Sequence, residues 1–434
     1  MAVPRTYHLV TLGCPKNDVD SEHLERLLTG GELLPMLRPE EADAIIVNTC
    51  GFIEQSQAES MAAVRALAAG KRAGQTLIVA GCMTQLYGAE LRAEAPSVDH
   101  IFGVGRWQDV ARLLSVDVDA VFDIPESNAR VTGASAYLKI SDGCDAPCTF
   151  CVIPKIKGGL RSAPAGMLVR EAQRLVAAGA KELVLVGQDT TAWGEDMGLP
   201  VASGLPGLLR MLADAVSAET WLRLMYAYPS RVTPALIEVM AEIPNVVPYL
   251  DVPLQHGSEA VLWRMKRPHN LERVHGFIEG LRAAMPDVVL RTSFIAGFPG
   301  ETEAEFEELL AFAKEVGFDH AGCFTYSRQR WTGAFEMDDQ VPDEVKHERR
   351  DRFMRQQRKI AAKRAQRFVG RTLAMLVEGT GEDEDGAEVV AGRSFREAPE
   401  VDGLVFARGH AAAGERVLVR IESTAEYDLF GRVV

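Results

Sequence analysis

The sequence predicts an α/β protein in three parts: an N-terminal parallel-sheet α/β domain, a central partial β/α barrel and a C-terminal small β-barrel of the five-stranded oligonucleotide-binding type. Three observations carry this. Short apolar runs alternate with amphipathic stretches from residue 6 to about 117. The alternation restarts at Tyr137 and continues for about six units. After Gly370 the pattern changes to short runs split by glycines and acidic turns.

In the first part, 7–12 reads as an apolar strand, and 21–28 continues a helical pattern opened near Asn17. Strands follow at 44–48 and 76–80, with an Ala-rich helix over 54–69 between them. Apolar runs between amphipathic helices imply a parallel sheet. Residues 118–136 are polar and turn-rich and read as a linker between domains at 6–117 and 137–368. Barrel strands are expected at 137–140, 183–186, 223–225, 249–252, 288–293 and 321–325, with helices such as 168–178 and 303–316 between them. Six units fall short of a full eight-fold barrel. Residues 343–368 form a long basic helix, which could contact RNA. More often such a run is a solvated face, here with Phe353, Met354 and Ile360 buried opposite. Domain 369–434 offers strands at 373–377, 388–391, 403–407, 416–421 and 429–434.

The formal charge of −14 argues against non-specific nucleic-acid binding by the whole surface and suits a basic partner. No run of about 18 apolar residues exists, so no membrane span is expected. Residues 1–10 lack the apolar core of a signal peptide. A cytoplasmic protein is expected, where disulfides are rare. Its seven cysteines therefore call for metal, catalysis or packing.

Cys144-Asp-Ala-Pro-Cys148-Thr-Phe-Cys151 follows the strand at 137–140, and Gly143 permits a tight exit. Four-iron clusters ordinarily take four thiolates. Three leave one iron open, able to chelate S-adenosylmethionine and pass an electron to its sulfonium, which yields a 5′-deoxyadenosyl radical. The bland alternatives are a zinc site, which would want a fourth ligand that no nearby Cys or His supplies, or three unrelated buried thiols.

Cys14, Cys50 and Cys82 look scattered, but each follows an apolar strand through a small residue and precedes a helix. Ends of parallel strands share one edge, so these three should converge as a second cluster site. The alternative is that each is a small core residue. Cys323, inside a candidate strand, is read as core. Other strand ends supply weaker candidates for cofactor contact. They are Asp189 beside Gln188, Gln255 beside His256, and Gly297, Gly300 and Glu301 of the turn Gly297-Phe-Pro-Gly300-Glu301. Each could equally be ordinary loop polarity. Phe102-Gly103-Val-Gly105 lacks the third glycine of a dinucleotide fingerprint.

With two three-cysteine clusters and a small terminal barrel, the chain over residues 6–434 resembles the methylthiotransferase family of radical S-adenosylmethionine enzymes. The resemblance implies an auxiliary four-iron four-sulfur cluster on the N-terminal domain, a radical S-adenosylmethionine barrel carrying a second one, and a C-terminal TRAM domain. The family splits by substrate: members of the MiaB type modify a tRNA adenosine, those of the RimO type an aspartate of small-subunit ribosomal protein twelve. Leu12-Gly-Cys14-Pro-Lys16-Asn17 is similar to the RimO type, where tRNA enzymes usually carry glutamine and methionine in place of the proline and lysine. Asn48-Thr-Cys50-Gly-Phe52-Ile53, Gln188-Asp189-Thr190-Thr191, Pro399-Glu-Val-Asp402-Gly403 and Glu426-Tyr-Asp-Leu-Phe-Gly431 resemble it too. Asp18, where an apolar residue is common, and Lys155 and Lys157, where arginine is common, depart from the pattern.

The resemblance implies two uses of S-adenosylmethionine, one as methyl donor to sulfur at the auxiliary cluster and one as radical source. The radical takes hydrogen from the β-carbon of the target aspartate, which then receives the methylthio group. No catalytic residue beyond the cluster ligands is implied. The implied partners are ribosomal protein twelve or the ribosome, and an electron donor such as flavodoxin. Two rivals stay open: a tRNA adenosine methylthiotransferase, and a non-catalytic iron–sulfur carrier or ribosome-assembly factor. Residues 371–434 hold seven Arg or Lys against thirteen Asp or Glu, a balance that repels RNA phosphate and attracts a basic protein.

Overall fold

The computed structural model describes residues 4–118, 131 and 133–434, so most of the expected linker lies outside the described residues. The first sheet holds β1 (Thr6–Thr11), β2 (Leu34–Pro35), β3 (Ala44–Thr49), β4 (Thr76–Gly81) and β5 (His100–Ile101), all parallel, in the order β2-β1-β3-β4-β5. β3 is central and buried along its whole length, which its unbroken apolar run Ala44-Ile45-Ile46-Val47 requires. Ile46 and Ala80 pack with Leu24 and Leu28, whereas Ile45 and Val47 pack with Val64 and Leu91, so helices cover both faces. The edge strands β2 and β5 were not foreseen, because two residues are too few to show alternation. The first helix, Pro15–Gly30, opens directly after Cys14, where proline suits the first helical position.

The second sheet is parallel throughout and runs in chain order: β6 (Ser135–Lys139), β9 (Glu182–Val186), β10 (Trp221–Leu224), β11 (Val246–Asp251), β12 (Val289–Ala296) and β13 (His320–Thr325). These are the six expected strands of a partial barrel. β7 (Ser141–Asp142) and β8 (Arg161–Ser162) form a separate antiparallel ribbon at the mouth of the cysteine loop. Leu183, Leu185, Leu222, Leu224 and Leu290 face the outer helices. The alternate residues Val184, Val186, Val247, Tyr249 and Val289 share one apolar cluster with Met375, Val377, Val405 and Leu429 of the terminal domain.

That terminal domain is a closed barrel of β14 (Thr372–Glu382), β15 (Glu388–Arg393), β16 (Val405–Arg408), β17 (Arg416–Thr424) and β18 (Leu429–Val433), in the order β14-β15-β16-β18-β17. Buried ion pairs fasten it to the partial barrel. Glu182 pairs with Arg223 at 2.6 Å and with Arg393 at 2.8 Å. Asp402 accepts from the Tyr249 hydroxyl at 2.6 Å and faces Arg291 and His320, each at 3.4 Å. Burial alone would raise the Asp402 carboxyl; His320, Arg291 and the Tyr249 hydrogen bond outweigh it and hold it below the usual range. Asp402→Ala should cost about 3 kcal/mol in urea unfolding at pH 7. This is the low end for a broken buried pair, because Arg291 keeps Asp251. The folded value is depressed. The gap between wild type and variant is therefore full at neutral pH, and it closes as pH falls below the ordinary carboxylate value of about 3.9.

The basic helix runs Asp343–Ala365 and ends in a 3₁₀ turn, Gln366–Phe368. One side keeps the expected solvated face, with Arg355, Arg358, Lys359 and Lys363 exposed, and the other packs on the barrel. Arg349 is buried and pairs with Glu301 at 2.9 Å, Arg352 with Glu303 at 2.6 Å, and Arg367 with Asp319 at 2.9 Å. Phe353 is buried as expected, while Met354 and Ile360 are half-buried. These three cations fasten the helix to the barrel. Among the described residues, no helix is long and apolar enough to cross a membrane.

Candidate active site

Cys14, Cys50 and Cys82 emerge at the C-terminal ends of β1, β3 and β4, three adjacent strands. Cys14 precedes the helix Pro15–Gly30, and Cys82 is the first residue of Cys82–Glu94. Helix N-termini favour the negative charge that thiolates and clusters carry. One side chain ties the three ends together. The Asn17 amide donates to Leu12 O at 2.7 Å and Thr49 O at 3.2 Å, and its Oδ1 accepts from the Cys82 thiol at 3.8 Å. Ser60 accepts from Cys50 N at 3.0 Å and donates to Cys50 O at 2.9 Å. Gly13, at φ +110°, is obligatory: a Cβ there would lie 2.7 Å from Cys50 Cβ.

The second trio sits on the loop after β7. Gly143 adopts φ +78°, and a Cβ would overlap Gly159 O. Cys144 N donates to Gly158 O at 3.2 Å, and Ala146 N donates to Cys144 Sγ at 3.4 Å. The Arg267 guanidinium donates to Cys148 Sγ at 3.6 Å. Thr149 anchors the loop through Arg264 O at 2.9 Å.

All six cysteines line one cavity of about 410 Å³ between the first two sheets. Cys82, Val152 and Ile156 form an apolar contact across the two domains. Beneath it, Lys157 is buried between Asp20 at 3.1 Å and Asp142 at 3.4 Å, and Lys139 also pairs with Asp20. Burial alone would lower the Lys157 ammonium, but the two carboxylates outweigh it and keep it charged. The unusual lysine at 157 is thus an interdomain tie. Asp18 is half-buried; burial first, and Glu400 second, push its carboxyl up to about 6.

Burial pushes the Cys82 and Cys151 thiols up to about 12 and also raises Cys50 and Cys144. Such thiols surrender their protons to a bound metal rather than to water. Soft donors in a wall without a carboxylate fit iron–sulfur clusters. Among the described residues no three His, Cys, Asp or Glu side chains close on a point for one ion. A cluster does not ask for that, as each thiolate takes its own iron.

Of the other expected contacts, Gln255 lines the cavity and Asp189, Gly297, Gly300 and Glu301 do not. Asp189 caps its own turn, accepting from the Thr191 hydroxyl at 2.6 Å and Ala192 N at 3.2 Å, and pairs with Arg231. Glu301 accepts from Gly297 N at 2.8 Å and Phe298 N at 3.1 Å, and so braces the glycine turn from below. Gly297 leaves room for Lys346 of the basic helix. Gln188, the neighbour of Asp189, reaches the cavity instead, with a buried Oε1 that has no hydrogen-bond partner among the described residues.

Nothing in the local sequence points to Tyr226. It lines the cavity at φ +60°, as Gln255 does at φ +79°. Asp251 accepts from Tyr226 N at 3.1 Å, and Thr190 N donates to Tyr226 O at 3.2 Å, which holds the left-handed backbone in place. Backbone strain of this kind collects at functional sites.

Three family models divide the chain. Residues 6–103 match "Uncharacterized protein family UPF0004", 138–313 the radical SAM superfamily and 369–434 the TRAM domain. Among solved structures, the radical S-adenosylmethionine methyltransferase TsrM from Kitasatospora setae is similar, with a TM-score of 0.58 at 12% identity, over 76% of this chain and 77% of that one. Fold and site together define a radical S-adenosylmethionine enzyme. The chain is also 42% identical to the ribosomal protein uS12 methylthiotransferase RimO of Herpetosiphon aurantiacus, over 99% of this chain and 100% of the relative. It is 46% identical to that of Anaeromyxobacter sp. (strain K), over 98% and 93%. It belongs to the RimO family of radical S-adenosylmethionine methylthiotransferases, enzymes that use S-adenosylmethionine and four-iron four-sulfur clusters.

Proposed function

We propose that this chain inserts a methylthio group at the β-carbon of an aspartate in ribosomal protein uS12, with one four-iron cluster on Cys14, Cys50 and Cys82 and another on Cys144, Cys148 and Cys151. The observation that carries this is the single cavity into which two domains each present three cysteines. When bound, the clusters supply an electron for cleavage of S-adenosylmethionine at one trio and a seat for sulfur at the other. The chain's own residues do the rest. Arg267 sets its guanidinium against Cys148 Sγ and the Tyr228 ring, a fixed positive charge beside that trio. Phe150, Ile153 and Ile156 make the wall apolar, which keeps bulk water from a reactive radical. Gln188 Oε1 and Gln255 offer polar atoms to the cofactor. On this reading the chain divides into domains at 6–117, 137–368 and 369–434 with a linker at 118–136, except that β6 already begins at Ser135, so the central domain starts two residues earlier.

A basic protein target suits the terminal barrel, whose seven Arg face thirteen Asp or Glu over 371–434. A tRNA target would ask for a basic surface there. The reading includes a cytoplasmic location and an electron donor such as flavodoxin. Mass spectrometry of ribosomal proteins and tRNA from a strain lacking the gene tests it. uS12 is expected to lose its methylthio mass, with tRNA unchanged. Loss from tRNA alone would assign the chain to adenosine. No loss from either pool, with no cleavage of S-adenosylmethionine by the reduced protein, would leave an assembly factor.

A further inference from the structure

We propose that Lys16 selects the target by pairing its ammonium with the side-chain carboxylate of the substrate aspartate, in the cavity between the two cysteine trios. This rests on the aspartate reading above. Lys16 lies in the first turn of Pro15–Gly30, two residues after Cys14, and lines the cavity. Its Nζ sits 3.3 Å from the centre of the Tyr226 ring, which the partial barrel supplies, so the ammonium stands between the two domains.

The cavity wall holds three cations, of which one is paired with carboxylates, one is held against the second trio, and Lys16 stands beside the first. Lys157 is enclosed by Asp20 and Asp142. Arg267 donates to Pro253 O and Cys148 Sγ. Among the described residues, Lys16 has no carboxylate partner, and no Asp or Glu lines the cavity. A half-buried ammonium in a mainly apolar wall, with no carboxylate of the described residues beside it, can take one from a bound molecule. Its position is also a poor one for stability, because the positive end of a helix dipole repels a lysine in the first turn. Tyr226, which holds the ammonium in place, is the residue kept in a left-handed backbone by Asp251 and Thr190. A strained aromatic, a cation with no carboxylate partner among the described residues and a cavity that no Asp or Glu lines together describe a seat for a carboxylate carried in by the substrate. A neutral side chain or base would leave the cation unpaired, so the same residue would reject it.

The test uses reconstituted holoenzyme with S-adenosylmethionine, uS12 and a uS12 variant in which the target aspartate is asparagine. Wild type should favour aspartate by at least about 100-fold in kcat/KM. Lys16→Met should raise KM for uS12 by about 10- to 100-fold and erase most of that preference, and Lys16→Arg should restore much of it. Iron per chain, measured in parallel, reports whether the variants still load their clusters. The proposal falls if wild type accepts asparagine equally, a result that needs no enzyme variant. It also falls if Lys16→Met keeps the preference, or shifts KM for S-adenosylmethionine or iron content instead. Wild type that modifies no aspartate at all would overturn the substrate reading, and the role of Lys16 with it.

Discussion

Cys144→Ala should abolish reductive cleavage of S-adenosylmethionine, a loss of at least about three orders of magnitude. The loop between β7 and β8 presents three thiols; the other cavity cysteines stand on the N-terminal sheet, and Cys323 is buried within β13, in the apolar cluster under the helices. Two thiolates cannot fix a four-iron cluster and also leave a single open iron. The Cys144 backbone is held by Gly158 O and its sulfur by Ala146 N, so alanine removes the thiol while the loop keeps its backbone anchor. Chromatography of 5′-deoxyadenosine released under strong reductant measures the effect. Sustained cleavage would remove Cys144 from the site.

Cys50→Ala should separate the two halves of the reaction. Cleavage of S-adenosylmethionine is expected to persist at a reduced rate, while methylthio product falls below detection. The physical reason is that the trios stand on different scaffolds. Cys50 is held by Ser60 and by the Asn17 network at the ends of β1, β3 and β4, and the loop with Cys144 is held by Gly158 and Arg264. Loss of one thiolate from the first scaffold leaves the second intact. Product formed by Cys50→Ala would end the assignment of the N-terminal trio to sulfur insertion.

The barrel was legible because short, mostly apolar runs, clearest at Glu182–Val186, recur between amphipathic helices, and its cysteines are neighbours in sequence. The N-terminal trio was legible for a subtler reason. Cys14, Cys50 and Cys82 share a local context, and parallel strands turn a shared context into a shared place. Side-chain direction was not legible. Asp189 and Glu301 sit at strand ends as catalytic residues do, yet each turns to cap its own loop. Tyr226 gives no local signal of a left-handed backbone, because Asp251 and Thr190, distant in sequence, impose it. The basic helix 343–368 keeps a solvated face, but its ion pairs to the barrel were not legible because the carboxylates, Glu301, Glu303 and Asp319, lie some tens of residues away.

Iron and acid-labile sulfide analysis of anaerobically reconstituted protein, read beside its electron paramagnetic resonance spectrum, bears most directly on the claim of two open clusters. The wild-type chain should hold about eight irons and show two paramagnetic centres on reduction, with about four irons left when Cys144, Cys148 and Cys151 are all alanine. A plateau near four irons in the fully reconstituted wild type, or stoichiometric zinc in their place, would contradict it.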